Sequence, residues 1–325
     1  MLVRDSIVRR FVLATSVTLG LAAPAWAADP PRIVTTIPPI HSLVAAVTEG
    51  VVDPVLLVRG SASPHNYAMA PSDARALQNA QLLIWVGPTL ETFVARTLRD
   101  PREGRRVITL MDQDGISLLK TRAGGAFDRH VHDDDHDEHA HDEEHADDDA
   151  GGHLDAHLWL DPSNAARTIE IVADALVALD PSRADTYRAN AARALDRIAR
   201  LEDSLMATLA PVQDRPFIVF HDAYQYLERR YDLAVAGSIT VAPDRKPGAR
   251  RLREIQRRIV EGGVVCVFAE PQYQSSVIET VIEGTAARAG VADPLGASLD
   301  PGPDFYPALM RRLARSLAEC LSPHS

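Results

Sequence analysis

Beyond its first 27 residues the chain has no run approaching the roughly 18 consecutive apolar residues that a membrane-spanning helix requires, so no spanning segment is expected in the mature protein. No lipobox-like cysteine follows the N-terminal apolar stretch, and the mature protein is expected to be soluble and exported. There is neither a basic stripe nor an aromatic-basic patch, and the formal net charge is −11, which argues against a nucleic-acid partner. No internal repeat is evident. Cysteine is scarce: Cys266 lies in the apolar run Val264 to Ala269 and Cys320 near the end of the last helical pattern. In an oxidising compartment the two can pair, stapling that helix to a sheet and contributing about 4 kcal/mol in the chain-entropy model. Two buried free thiols are the alternative.

What the chain does have is concentrated between Asp128 and His157, where eight of its twelve histidines lie. Asp128 to Asp149 carries twelve acidic residues against one arginine, a balance of −11 that equals the charge of the whole chain. The remainder is therefore close to neutral. From His130 to Ala150 the only branched apolar side chain is Val131, too little to offset the entropy of ordering the segment. Imidazoles and carboxylates in such density offer nitrogen and oxygen donors for transition metals. His130, His132, His136, His139, His141, His145 and His153 are expected to form a disordered accessory loop, spanning 128–153, that binds metal weakly. An ordinary solvated acidic loop is the plainer alternative.

The N-terminus reads as a signal peptide. Arg4, Arg9 and Arg10 form a positive region, Phe11 to Ala23 an apolar one, and Ala25-Trp26-Ala27 a cleavage site. Removing 27 of 325 residues leaves about 298, enough for two domains. Short apolar runs alternate with helical patterns: Ile33 to Ile37, Pro54 to Val58, Leu82 to Val86 and Val107 to Leu110, then Phe217 to Phe220 and Val264 to Ala269. Continuous rather than alternating hydrophobicity implies strands covered on both faces, hence parallel α/β sheets. Between the two sets, Asp180-Pro181-Ser182 interrupts a helix that begins near Pro162. From Arg183 to Leu209 the apolar residues Tyr187, Ala191, Leu195, Ile198, Leu201, Leu205 and Leu209 recur at three- and four-residue steps. Such a helix spans roughly 42 Å and reads as a rigid backbone between lobes. The expected organisation is a signal peptide (1–27), an N-terminal α/β lobe (28–181), a linking helix (182–210) and a C-terminal α/β lobe (211–325).

Three histidines stand apart from the acidic tract's centre. His65 lies in a Ser/Pro-rich loop that enters a helix at Ser72, His157 in DAHLWLDP, and His221 directly after the strand Phe217 to Phe220. Open α/β sheets hold ligands in the crevice outside their strands' carboxyl ends. One such histidine would more often be structural; three in a chain that also carries a metal-attracting tract point to a site. Three imidazoles plus a carboxylate or water match the four-coordinate geometry of zinc. Glu270, Asp293, Asp155, Asp161 and Asp222 are available as a fourth ligand or as acceptors that fix the ring tautomers.

These segments resemble a family. TTIPPIHSLV, PHNYAMAPSDARALQNAQLLIWVGP, HLWLDP, FHDAYQYLE, VFAEPQ and DPLG, in that order, are similar to the metal-specific solute-binding receptors of bacterial ABC importers, most closely the zinc receptors (ZnuA-like). The resemblance covers nearly the whole mature chain, including the acidic His-rich insertion and both cysteines. It implies two α/β lobes, each with a central parallel sheet, joined by one long helix with the metal between them. It also implies a high-affinity Zn²⁺ receptor, periplasmic and monomeric, delivering its cargo to a membrane permease rather than catalysing a reaction. His65, His157 and His221 fall on the family's histidine ligands. Histidine at the third position, where manganese receptors carry a carboxylate, favours zinc. Some zinc receptors carry an acidic residue immediately before the first histidine; here that position is Pro64, which cannot ligate. In manganese-type relatives an aspartate near the C-terminus is the fourth ligand, and the resemblance places that motif on Asp293. The fourth position is expected at Asp293 or a water, with Glu270 in contact with a ligand or an alternative to it.

Other readings remain. A manganese or iron receptor of the same fold would differ in metal preference, and an adhesin or sensor would use the tract alone. A zinc hydrolase could use Glu270 as base, but nothing in the chain supplies a recognisable oxyanion site. His141 to His145 matches H-x-x-E-H, yet its Ala, Asp and Glu neighbours cannot form the buried helix that this pattern needs.

Overall fold

The structure, a computed structural model, describes residues 29–99, 104–122, 127, 153–240, 247–273 and 276–323. The expected signal peptide and the histidines from His130 to His145 lie outside the described residues, whereas His153 is described and exposed.

The first half comprises β1 (Ile33–Thr35), α1 (Pro38–Thr48), β2 (Val55–Leu56), α2 (Pro71–Asn79), β3 (Leu82–Trp85), α3 (Thr92–Leu98), β4 (Arg106–Thr109) and α4 (Pro162–Leu179). Next comes α5 (Ala184–Leu209). The second half comprises β5 (Phe217–His221), α6 (Gln225–Tyr231), β6 (Val235–Thr240), α7 (Ala249–Glu261), β7 (Cys266–Ala269), α8 (Ser276–Ile282), β8 (Arg288–Val291) and α9 (Phe305–Leu321). The strands form two four-stranded sheets, β2-β1-β3-β4 and β6-β5-β7-β8, parallel throughout. Four of the six apolar runs take the central places, and every residue of β3 and β5 is buried. The runs Pro54 to Val58 and Val107 to Leu110 fall instead on the edge strands β2 and β4, which are partly exposed.

Two strands carry no such run. The strand β6, VAGSIT, is interrupted by Gly237 and Ser238 and meets β5 through a register shift at Phe217/Ile218. In β8, RAGV, partly buried residues alternate with exposed ones. Both lie at sheet edges with one neighbour each; β8 is partly exposed, whereas the last four residues of β6 are buried although two of them are polar.

The helix α5 has 26 residues, about 39 Å of rise. Asp180 organises the break before it, accepting from Ser182 Oγ (2.6 Å), Arg183 Nη1 (2.7 Å) and Tyr187 Oη (2.9 Å). The buried stripe of α5 includes Tyr187, Ala191, Ile198, Leu201, Leu205 and Leu209. It packs against α1, α4 and α9, and α9 also packs on α1. This helix is thus a shared wall rather than a bare tether. Ser42 of α1 donates to Pro303 O (3.2 Å) and accepts from Tyr306 N (2.9 Å). Trp159 Nε1 donates to Pro294 O (2.8 Å), and Tyr306 Oη donates to Trp159 O (2.8 Å). One apolar core runs through both halves, and a smaller one lies between the second sheet and α7 and α8. Interlocking of this kind favours small relative displacements over a wide hinge motion. The disulfide between Cys266 of β7 and Cys320 of α9 is formed, with Cα atoms 6.2 Å apart.

In each sheet the chain leaves a central strand towards one edge and returns on the other side. This creates a crevice at the carboxyl ends of β1 and β3, and another at those of β5 and β7. In the first, the fully buried Glu91 accepts from Thr36 Oγ1 (2.5 Å) and Gly87 N (2.9 Å), tying the two strand ends together. In the second stands His221.

Candidate metal centre

Each histidine is delivered by a different local device. His65 is the middle residue of a one-turn 3-10 helix, Pro64–Asn66, that follows β2. Proline suits the first position of such a turn because it has no N–H to satisfy, and Ser63 Oγ accepts from His65 N (3.4 Å). Just beyond, Tyr67 Oη donates to Asp73 Oδ2 (2.8 Å), fastening the loop to α2. His157 immediately precedes the turn Leu158–Leu160, and its backbone N–H donates to Asp155 Oδ1 (3.0 Å). His221 is the last residue of β5.

Candidate ligand atoms of His65, His157 and His221 all lie within 4.8 Å of one another, the one such group among the described residues. The Nε2 atoms of His157 and His221 are 3.3 Å apart. Zn–N bonds of about 2.0–2.1 Å at tetrahedral angles place neighbouring nitrogens about 3.3–3.4 Å apart, so these two atoms already span one tetrahedral edge. His157 and His221 are 7% and 4% exposed.

The second ring nitrogens show why those Nε2 atoms are free to bind. His157 Nδ1 donates to Asp155 Oδ1 (2.7 Å) and His221 Nδ1 donates to Glu270 Oε1 (2.6 Å). With the proton held at Nδ1, the Nε2 lone pair faces the cluster. Asp155 is itself held by the opposite half: Tyr226 Oη donates to its carbonyl (2.7 Å) while accepting from Leu119 N (3.1 Å). Among the described residues, no carboxylate pairs with the ring of His65.

Burial, together with the neighbouring rings of His157 and His221, pushes the His65 pKa well below the ordinary imidazole value. Burial also acts to lower that of His221. The charge of Glu270 and its hydrogen bond, helped by Asp222 and Asp155, outweigh this and raise it. A ring with a raised pKa keeps its proton above about pH 6.5 and must release it when a metal binds. Metal affinity is therefore expected to be lost as pH falls through the raised His221 value, beginning above 6.5, with His65 competing only at much lower pH. In Glu270→Gln this dependence should move to lower pH, and affinity at neutral pH should fall by about 10- to 100-fold. Zinc titrations across a pH series check both effects.

The acids expected near the site divide. Asp155 and Glu270 orient the rings of His157 and His221. Asp293 does not join the cluster: its Oδ1 accepts from Leu295 N (3.1 Å), Gly296 N (2.9 Å) and Gln272 Nε2 (3.0 Å), and its Oδ2 from Ala297 N (2.7 Å). A carboxylate so engaged is the keystone of its own turn. Asp161 caps α4 by accepting from Ser163 N (2.8 Å). Asp222 pairs with Arg122, which also grips Glu228 Oε2 (2.6 Å). Arg122 went unread in the sequence because nothing there distinguishes it; it bridges from just before the acidic tract to the second half.

The sequence family described as zinc-uptake complex component A, periplasmic (ZnuA), matches residues 33–320. The high-affinity zinc uptake system protein ZnuA of Brucella suis is 42% identical over 325 residues, covering 95% of this chain and 97% of the relative. A crystal structure of ZnuA superposes with a TM-score of 0.72 at 25% identity, covering 90% of this chain and 100% of the other. A zinc-bound ZnuA deletion mutant gives 0.70 at 25% identity, covering 91% and 100%.

Proposed function

Because the chain belongs to the periplasmic zinc-uptake component A family, whose members are transport receptors rather than enzymes, it is a zinc receptor of an ABC importer, and we propose that His65, His157 and His221 hold its cargo. A water completes the tetrahedron, since Asp293 is committed to its turn and Glu270 to His221. The observation that carries this reading is the pair of Nε2 atoms 3.3 Å apart, each backed by a buried carboxylate on its other nitrogen. Three neutral nitrogens suit zinc better than manganese, which prefers oxygen donors. Competition between the two ions, followed by native mass spectrometry, should show one retained Zn²⁺; retention of Mn²⁺ in its place would refute the assignment.

The receptor is exported, and we place removal of the signal peptide near Ala27. Its lobes are 28–181 and 211–325, joined by 182–210, a division supported by two sheets that lie wholly on either side of α5. Ligands come from both: His65 and His157 from the first, His221 from the second. The monomer docks on the permease through its lobe surfaces and gives up the ion there.

The accessory histidines between His130 and His153 gather further zinc weakly and raise its concentration near the cleft. Deleting residues 128–152 should leave one tightly bound zinc and abolish the weaker equivalents in a calorimetric titration. Loss of the tight ion would show instead that the tract builds the site.

A further inference from the structure

Among the described residues, His65 alone of the three candidate ligands has no acid on its ring. Its approach to the other two must be set by something else, and one turn in the opposite lobe supplies it. Glu270-Pro271-Gln272-Tyr273 follows β7 and is closed by Tyr273 N donating to Glu270 O (3.1 Å). One end of this turn is the carboxylate that orients His221. At the other end, Tyr273 Oη is hydrogen-bonded to Ser63 Oγ (3.0 Å), the same oxygen that accepts from His65 N. The phenol ring lies flat on Phe220, with centroids 4.9 Å apart and planes 13° from parallel, and meets the His221 ring edge-on at 6.1 Å. Gln272, between the two ends, donates to Asp293 Oδ1 (3.0 Å). Asp293, expected from sequence to be a ligand, is part of what holds this turn in place.

We propose that Tyr273 is a positioning residue for zinc. Through Ser63 it latches the His65 turn of the first lobe to the turn that orients His221 in the second. With no carboxylate among the described residues to orient its ring, His65 depends on where its turn is held, and the hydroxyl pair spanning the cleft fixes how closely that turn approaches the other nitrogens. Opening the latch lets the His65 turn withdraw while His157 and His221 stay paired with their acids, so His65 is the first ligand to leave when the ion is released. The inference rests on the three-histidine receptor reading.

The test uses the full exported chain loaded with one zinc, with release followed by stopped-flow mixing into excess chelator. Tyr273→Phe keeps the stacking on Phe220 and removes only the hydroxyl, and release should quicken about fivefold, the scale of one net hydrogen bond. Ser63→Ala should quicken it at least as much, and the double variant no more than Ser63→Ala alone, because both act through one contact. Losing this one hydrogen bond should lower the melting temperature of the metal-free variants by no more than about 2–4 °C, and a larger drop would mark Tyr273 as merely structural. Unchanged release in Tyr273→Phe, or effects that multiply in the double variant, would overturn the latch while leaving the receptor reading intact. Failure of the unsubstituted chain to bind one zinc tightly would overturn both.

Discussion

Replacing His221 with alanine is expected to weaken zinc binding by roughly two to three orders of magnitude. Tetrahedral zinc sites in small folded units are worth about 10–16 kcal/mol, or about 2.5–4 kcal/mol for each of four ligands, and about 1.4 kcal/mol is a factor of ten. His221 should lie at the upper end because its loss has a second consequence. Glu270 is 3% exposed and gives its Oε1 to His221 Nδ1; without the ring, a carboxylate is left buried beside the metal without that donor. His65→Ala strands no acid and should cost less, while His157→Ala strands Asp155 and should resemble His221→Ala. Competition with a chelator of known affinity measures all three, and unchanged circular dichroism of the metal-free forms excludes a folding defect. Equal, small losses at all three positions would mean that the ion is held elsewhere.

The other large effect concerns stability. Cys266 and Cys320 close a loop of sequence separation 54, and in the chain-entropy model such a bridge contributes about 4 kcal/mol. Cys266 is fully buried in β7, beside β5, which ends at His221, while Cys320 lies in the last turns of α9, the helix packed on both α5 and α1. The bridge therefore joins the sheet that presents His221 to the wall shared by both lobes. Cys266→Ser combined with Cys320→Ser should lower the melting temperature by roughly 8 °C or more, with the zinc stoichiometry unchanged. Scanning calorimetry of the double variant checks this. An unshifted transition would show that interlobe packing alone holds α9.

Much of this arrangement was legible in the chain. Strands buried on both faces announce themselves as unbroken apolar runs, so β1, β3, β5 and β7 were readable, as was the stripe of α5. The edge strands β6 and β8 were not, since Gly237 and Ser238 break one apolar run and Arg288 and Gly290 the other, so neither leaves a continuous signal. The three histidines were legible because strand ends and Pro-rich turns are where α/β sheets put ligands. The roles of the acids were less so. Asp155, Asp161, Asp222, Glu270 and Asp293 look alike in sequence, and only long-range geometry sorts them. Two orient histidines, one caps α4, one meets Arg122, and one holds a turn. Tyr273 was invisible for the same reason: its partner Ser63 is 210 residues away.

The central claim, one zinc held between the lobes by three imidazoles, is tested most directly by zinc K-edge X-ray absorption on the chain lacking residues 128–152 and loaded with a single equivalent. Three imidazole nitrogens at about 2.0 Å with one further light atom, falling to two imidazoles in His65→Ala, is the predicted result. A shell dominated by carboxylate oxygens, or one unaltered in His65→Ala, would contradict it.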